Sequence, residues 1–287
     1  MKKTMFFLSL IILLSGCESS ISNSQSSDIS LDPSSEDLTS ISSETSLDDS
    51  QETSSSLSYT SNDLVPTNDD FGDYYANFDF TLTGTNLKSA LSTLINTGKK
   101  LNSYTTAWTS CAATNEVEGD SSKVLQIYSR QPDLKSNQNT GGTTGWNREH
   151  VAPKANISSD AENDAINLWA ADPKVNNNRG NLPMGEVTDG TQLIDSLGRP
   201  TDCYKTSAYF EPTDAAKGEV ARTLFYMAVC YGINLTKLGN VDDLLAWNIA
   251  FPPDEWREIR RINIIHQDFQ KNRNPFVDFP QLADLIW

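Results

Sequence analysis

Residues 146–181 have the residue types that metal-assisted hydrolysis of a phosphodiester requires. His150 is one of only two histidines in the chain, and it lies between Glu149 and the segment Val151-Ala152-Pro153. A histidine with an unperturbed pKa of about 6.5 is mostly neutral at pH 7 and can accept a proton from water. The sequence therefore makes His150 a candidate general base.

Two oxygen ligands for a metal ion accompany this histidine. The carboxylate of Glu149 and the amide oxygen of Asn176 are hard donors of the kind that Mg²⁺ accepts while keeping several waters. Neighbouring residues on a regular strand point to opposite faces, so Glu149 and His150 share a site only if the backbone bends or the metal lies at the strand end. The alternatives are a surface carboxylate paired with Arg148 and a turn asparagine.

Three further residues in the chain have a chemical and a structural interpretation. Arg179 could clamp a phosphate through two parallel hydrogen bonds, or be a solvated loop arginine. Asn167 could hold the metal-bearing loop through backbone hydrogen bonds. His266 lies among apolar residues of a predicted helix, and we interpret it as structural. Taken singly, each structural interpretation is favoured; the combination within residues 146–181 is what favours a catalytic site.

Charge is spread unevenly along the 287 residues, whose net charge is −16. Residues 1–65 contain two lysines and ten acidic residues, which leaves 20 basic and 28 acidic residues in 66–287. This acidic balance counts against tight binding of long duplex DNA. It does not exclude a local basic groove, because physiological salt screens charges beyond roughly 8 Å.

The first 65 residues have the pattern of a targeting segment followed by a tether. Residues 1–16 have two lysines and an apolar run too short to span a bilayer, as in a signal peptide. Leu14-Ser15-Gly16-Cys17 resembles a bacterial lipobox, which implies cleavage before Cys17 and lipidation of its thiol; the alternative is an ordinary secretory signal with a chance cysteine. Residues 17–65 are Ser-rich and acidic, and predict a disordered tether. We expect a protein anchored to the outer face of the cytoplasmic membrane of a bacterium, or secreted if the anchor is cleaved.

Residues 66–287 predict one mixed domain. Apolar spacing predicts helices over 87–95 and 218–231, and a further short helix is expected over 244–247. Pro252-Pro253 indicates the start of another helix, over about 254–270, which Asn274-Pro275 stops. Residues 124–128 predict a strand, and residues 136–145 a Gly/Asn/Thr loop. Three cysteines remain after Cys17, and an odd number cannot pair completely. One disulfide is possible among Cys111, Cys203 and Cys230, although Cys230 lies on an apolar helix face and predicts a buried thiol.

Several motifs in the same order resemble the bacterial endonuclease I family of secreted, metal-dependent, sequence-nonspecific nucleases, which belongs to the ββα-metal or His-Me finger group. Motifs of this length are more specific than a single short pattern. The resemblance covers roughly residues 71–287. Its motifs are Asn147-Arg148-Glu149-His150-Val151-Ala152-Pro153-Lys154, and the segments 175–181, 218–227 and 272–278.

The resemblance implies an α+β fold, in which a His-Me finger module is embedded in a mostly helical mixed domain. It implies that a hairpin carries the base His150 and that the following helix carries Asn176, which binds the metal with Glu149. It further implies a phosphate contact from Arg179, Mg²⁺ as cofactor (with Mn²⁺ or Ca²⁺ as alternatives), and 5′-phosphate products. We expect a monomer that binds DNA, and RNA as a second substrate, through the backbone.

Basic residues near the motifs are candidates for a nucleic-acid groove, and two departures from the family pattern leave other functions open. The family often has histidine at Ile166 and proline at Ala170, so an inactive surface protein that binds nucleic acid is one alternative. A phosphatase or lipid phosphodiesterase is another. The groove candidates are Arg148, Lys154, Lys174, Arg179 and Arg222, which Arg257, Arg260, Arg261 and Arg273 could extend.

Overall fold

The computed structural model describes residues 69–139 and 141–287. The predicted signal peptide, the lipidation site Cys17 and the predicted tether lie outside the described residues. None of the helices within the described part of the chain is long and apolar enough to cross a membrane.

The described chain begins with a helical segment, two α-helices and a small sheet. A 3₁₀ segment spans Asp69–Tyr75, followed by α1 (Gly84–Asn96) and α2 (Tyr104–Thr114). Helix α1 buries Leu87, Leu91 and Ile95 at the spacing that predicted it. Helix α2 starts where the Ser103 side chain accepts a hydrogen bond from the amide of Thr106. Strands β1 (Glu116–Val117), β2 (Asp120–Leu125) and β3 (Pro132–Leu134) then form an antiparallel sheet.

A hairpin followed by a helix comes next. Strand β4 (Asn147–His150) pairs antiparallel with β5 (Leu168–Ala171), with His150 opposite Leu168 and Asn147 opposite Ala171. Helix α3 (Pro173–Arg179) begins two residues after β5. Strands β6 (Thr191–Ile194), β7 (Pro200–Lys205) and β8 (Phe210–Glu211) form the third sheet, which is also antiparallel.

Helices make up most of the remaining chain. They are α4 (Asp214–Cys230), α5 (Val241–Ala250), a continuous helical stretch from Glu255 to Phe269 and α7 (Pro275–Asp278). In the helical stretch, α6 (Arg260–Ile264) is flanked by π-helical turns at Glu255–Ile259 and Ile265–Phe269. Every residue of α4 from Ala216 to Cys230 is buried, so α4 is a central element of the core. The predicted α+β class is confirmed.

The two sequence ends of the described domain pack against each other. Phe71 and Tyr75 contact Phe279 through edge-on ring pairs, with centroids 5.4 and 5.1 Å apart. The Tyr75 hydroxyl donates to Asp278 at 2.6 Å, and the amide of Gly84 donates to the carbonyl of Leu285 at 2.7 Å. We call this set of contacts the closing seam.

Two expectations about this part of the chain need correction. The predicted strand over 124–128 ends at Leu125, because the apolar residues Ile127 and Tyr128 turn into the core instead of pairing along an edge. The possible disulfide does not form, since Cys111, Cys203 and Cys230 are each a free buried thiol. Cys230 is buried as predicted.

Candidate active site

The hairpin of β4 and β5 and helix α3 position the candidate residues. The Asp172 carboxylate caps α3 by accepting hydrogen bonds from the amides of Lys174 and Val175, at 2.9 and 3.0 Å. Pro173 suits the first helical position because its missing N–H would be unpaired there. Gly180 ends the helix with a φ of 55°, which a residue with a Cβ adopts only with strain.

One face of β4 packs against α3. The Asn176 side-chain amide donates to the side-chain oxygen of Asn147 at 2.8 Å. One turn further along the helix, Nη1 of Arg179 donates to Oε1 of Glu149 at 2.7 Å. Side chains two residues apart on a strand share a face, so Asn147 and Glu149 meet two residues from the same face of the helix. The structure therefore brings Glu149 and Asn176 to one strand–helix contact.

Glu149 is held in place from the protein side. The residue is only 4% exposed, and its Oε1 also accepts a hydrogen bond from the Tyr128 hydroxyl at 2.6 Å. Burial raises the pKa of Glu149, while the charge of Arg179 and the hydrogen bond from Tyr128 oppose that change. No hydrogen bond between described residues uses Oε2 of Glu149 or the side-chain oxygen of Asn176. Both atoms are therefore available to a ligand.

His150 is the last residue of β4, and one of its nitrogens is committed to a backbone carbonyl. Its Nε2 lies 2.8 Å from the carbonyl oxygen of Glu162. A carbonyl only accepts, so Nε2 must carry the proton, and in the neutral ring Nδ1 is then an acceptor. Burial lowers the pKa of His150 to about 4, against the opposing effect of the Glu162 carbonyl. The imidazole is therefore neutral at pH 7 and has one free base nitrogen.

Asn167 ties the chain after His150 to the start of β5. Its side-chain oxygen accepts from the amide of Ala152 at 2.7 Å, and its side-chain nitrogen donates to the carbonyl of Ala152 at 3.1 Å. Asn167 is fully buried, so these two bonds satisfy polar backbone groups that water does not reach.

Arg179 lies in the protein interior, 1% exposed, and not on a phosphate-facing surface. Besides Glu149, its guanidinium donates to the carbonyls of His150 at 2.9 Å, Val151 at 2.6 Å and Leu182 at 3.2 Å. These contacts do not support the predicted phosphate clamp, because the donors are occupied by protein groups. They fasten α3 to the end of β4 instead.

The other predicted groove cations separate into accessible and buried groups. Arg148 and Lys174 are half-buried, and Lys154 is exposed and paired with Glu162 at 2.7 Å. The contacts of Arg222 do not support its predicted place in the groove, because it is 1% exposed and forms a two-bond ion pair with Glu258. The four cations proposed as extensions also have protein partners: Arg257 pairs with Glu219, Arg260 with Glu116, Arg261 with Thr114 and backbone carbonyls, and Arg273 with Asp278.

Some residues that hold the candidate side chains in place could not be recognised from the sequence. Tyr128 was assigned to a strand, and Glu162 contributes only its backbone, which no side-chain pattern reveals. Asp172 was visible in principle, since Asp-Pro before a helical segment is a typical start signal. Two positions differ from the residues that the family often has. Ala170 pairs with Arg148 across the hairpin, and Ile166 is a buried residue directly before Asn167. His266 lies elsewhere, with its ring edge-on to Tyr74 at 5.4 Å.

The oxygen donors suit a hard cation that keeps water ligands. Within the part of the chain that the structure describes, no three His, Cys, Asp or Glu side chains are grouped to hold a metal ion. One carboxylate and one amide oxygen are a donor set for Mg²⁺, which rarely has an all-protein cage, and they do not suit Zn²⁺.

Comparisons with known proteins identify the family to which the chain is similar. A sequence model of the family described as Endonuclease I matches residues 83–281. The chain is 36% identical over 225 residues to the extracellular ribonuclease of Bacillus amyloliquefaciens, covering 71% of this chain and 75% of the relative. The extracellular ribonuclease of Bacillus subtilis (strain 168) gives the same identity and coverage. Endonuclease-1 of Buchnera aphidicola subsp. Acyrthosiphon pisum (strain APS) is 29% identical over 174 residues, covering 54% of this chain and 67% of the relative.

The family match defines the class of protein as a nuclease. The chain belongs to the endonuclease I family, and it is an enzyme that cleaves nucleic acid. Members of this family generally depend on a metal ion. The resemblance stated from the motifs is thereby confirmed.

Proposed function

We propose that this protein is a metal-dependent, sequence-nonspecific endonuclease that hydrolyses phosphodiester bonds of DNA and RNA and leaves 5′-phosphates, with β4, β5 and α3 as a His-Me finger module. The observation that carries the proposal is the contact of Nε2 of His150 with the Glu162 carbonyl. This contact leaves Nδ1 as a proton acceptor at the end of the strand that also carries Glu149.

His150 is the general base in this proposal. Its Nδ1 takes a proton from a water molecule, while the Glu162 carbonyl keeps the ring oriented and fixes its tautomer. The lowered pKa keeps the imidazole ready to accept the proton throughout the neutral range. Asn167 holds the backbone just after His150 and so maintains the position of the base.

Glu149 and Asn176 would hold the metal ion through Oε2 and the side-chain oxygen, with Mg²⁺ as the expected ion and Mn²⁺ or Ca²⁺ as alternatives. When bound, such an ion offsets negative charge at the scissile phosphate and the leaving oxygen. Tyr128 and Arg179 bind the other oxygen of Glu149 and fix the direction in which Oε2 points. Arg179 is therefore a positioning residue in this proposal.

Both nucleic acids are proposed as substrates for a chemical reason. An attacking water replaces the ribose 2′-hydroxyl as nucleophile, so the chemistry does not distinguish RNA from DNA. Two relatives bear the name extracellular ribonuclease and a third the name endonuclease-1, which supports including RNA. Contacts to the backbone alone would carry no sequence preference.

The test is cleavage of supercoiled plasmid and of a structured RNA by the full chain, with MgCl₂ or with EDTA. Expected are cleavage of both only with the metal, and RNA products that end in 5′-phosphate and 3′-hydroxyl. Metal-independent cleavage, or 2′,3′-cyclic phosphates on the RNA products, would contradict the mechanism. Bis- and mono-p-nitrophenyl phosphate, assayed in parallel, separate a phosphodiesterase from a phosphatase.

We also propose that the protein acts outside the cell, anchored through a lipid on Cys17 and bearing its tether. The support is the lipobox-like sequence before Cys17 and the word extracellular in the names of two relatives. We propose that it works as a monomer.

A further inference from the structure

An exposed aromatic ring lies against the strand that carries the candidate base. Tyr104 is 59% exposed, and it is the one aromatic residue among the large hydrophobic residues exposed in the described part of the chain. It is the first residue of α2, where the Ser103 cap fixes the backbone. Trp108 lies one turn further on the same side of the helix and is largely buried. An exposed tyrosine in this setting gains no core packing that would explain its presence.

Arg148 joins this ring to the active-site strand. Its guanidinium carbon lies 4.4 Å from the ring centroid of Tyr104 and 4.4 Å from that of Trp108. The same side chain donates to the Tyr104 carbonyl at 3.4 Å. The guanidinium thus covers one face of the Tyr104 ring, and since most of this residue is exposed, the opposite face is open to solvent. A ring fixed in this way loses little conformational entropy when a ligand stacks on it.

The ring is close to the position where cleavage is proposed. Arg148 and His150 are two residues apart on β4, so they share a face and lie about 7 Å apart along the strand. Glu149 and Asn147 face α3, and His150 is the last residue of β4, so the proposed metal site and the base meet at the strand end. Successive nucleotides of an extended strand span a comparable distance, so a strand with its phosphate at His150 brings a neighbouring base to Tyr104.

We propose that the open face of Tyr104, backed by Arg148, is a stacking platform for an unpaired nucleobase next to the scissile phosphate, and that it makes single-stranded segments the preferred substrate. This inference rests on the proposed nuclease function. Every base has a π-face, so stacking is compatible with cleavage at any sequence. In a duplex each base already stacks on its neighbours, so a duplex must fray or unstack before it can use the platform.

The experiment compares two single-stranded 12-mers with the same phosphodiester backbone, oligo(dA) and a strand of abasic residues. The proteins are full-length wild type, Tyr104→Ala, Tyr104→Phe and Ile249→Ala, where Ile249 is a 62% exposed residue of α5 that serves as the surface control. Base stacking corresponds to roughly a 5- to 150-fold effect. Tyr104→Ala is expected to raise KM on oligo(dA) by a factor in this range, with a smaller change in kcat. Tyr104→Phe keeps the stack and is expected to stay within about twofold of wild type, as is Ile249→Ala.

The abasic strand makes the test specific to stacking. For the wild type, KM should rise on the abasic strand by the same factor by which Tyr104→Ala raises KM on oligo(dA). The KM of Tyr104→Ala should rise little further on the abasic strand, because removing the base and removing the ring abolish the same contact. Equal losses on both strands, no loss from Tyr104→Ala, or a Tyr104→Phe loss as large as that of alanine would overturn the platform while leaving the nuclease intact. If wild type with MgCl₂ cleaved neither strand nor plasmid, the proposed function would fail first. Circular dichroism checks that all variants fold.

Discussion

At the scale of single residues, the site depends on how neighbouring polar groups are shared. One oxygen of Glu149 is taken by Tyr128 and Arg179, and one nitrogen of His150 is taken by the Glu162 carbonyl. In each side chain the protein occupies one atom and leaves the other to a ligand or to water. The base and the metal ligands are thereby oriented before any substrate arrives.

Variants of the base and variants of the metal ligands should lose turnover with a different dependence on metal concentration. His150→Ala is expected to keep the fold and nucleic-acid binding but to lose about 10²–10⁴-fold in turnover at every metal concentration. Asn176→Ala and Glu149→Gln weaken the metal site, so part of their loss should return at high Mg²⁺ or Mn²⁺. We choose glutamine at position 149, since alanine would leave Arg179 buried without its partner.

Plasmid cleavage across a metal titration measures this difference, with His266→Tyr as a control that removes the other histidine. Normal cleavage by folded His150→Ala would refute the assignment of the base. Loss of activity in His266→Tyr alone would mean that the wrong histidine was chosen.

We expect substitution of Arg179 to lower the unfolding free energy of the domain more than it weakens substrate binding. Arg179→Met removes the charge partner of the buried Glu149 at similar volume and should cost about 3–5 kcal/mol of unfolding free energy. Lys174→Met, on the same helix but only half-buried, should cost no more than about 0.5 kcal/mol. Urea denaturation of both variants gives the comparison. An unchanged unfolding free energy with a raised KM would restore the phosphate clamp predicted from the sequence.

At the scale of elements, three free thiols lie on the buried faces of α2, β7 and α4. Burial raises the pKa of Cys111 to about 12 and that of Cys203 to about 11, and it also raises the pKa of Cys230. The thiolate is the reactive form, so at pH 8 each folded thiol should react with iodoacetamide far more slowly than a free cysteine. Peptide mass spectrometry should find these three unlabelled in the folded protein and labelled in urea. Rapid labelling of Cys111 in the folded state would contradict its burial.

The sequence predicted elements well where one amphipathic face decided the structure. Helices α1, α4 and α5 were predicted from apolar spacing, with observed limits a few residues wider at one or both ends. Helix α2 was missed because its threonines and small residues have no helical pattern, and only the Ser103 cap marks its start. The end of β2 was misplaced because Ile127 and Tyr128 are apolar for reasons of burial and not of strand pairing.

The sequence indicates which residues are candidates for the site, but it does not indicate which other residues they contact. Glu149, His150 and Asn176 became candidates because their types and spacing suit metal-assisted hydrolysis and because they lie in the motifs that resemble the family, whereas Asn167 became a candidate only through the backbone hydrogen bonds it could form. The ion pairs of Arg179 and Arg222 could not be predicted, because an arginine looks the same in sequence whether it meets a phosphate or a buried glutamate. Tertiary pairing decides between those environments, and no local pattern encodes it.

At the scale of the whole molecule, the nuclease domain and the proposed anchor have separate roles. Cys17→Ala should release the protein into the medium or leave it unprocessed, because the thiol that would carry the lipid is gone. Membrane fractionation and labelling with a lipid precursor measure this outcome, and plasmid cleavage by the released protein checks that the domain still works. Unchanged fractionation together with unchanged lipid labelling would refute the anchor.

The closing seam affects when the domain can finish folding. Residues 147–179, which carry the base and the metal ligands, are close in sequence, whereas Tyr75 and Asp278 of the seam are 203 residues apart. Contacts at such separation raise the contact order, and high contact order slows folding. Residues 71–88 cannot reach their final packing until residues 276–287 have been synthesised. A newly made chain therefore stays incompletely folded until residues 276–287 have been made. If the protein is exported as proposed, a pathway that carries unfolded chains has that interval in which to take it up.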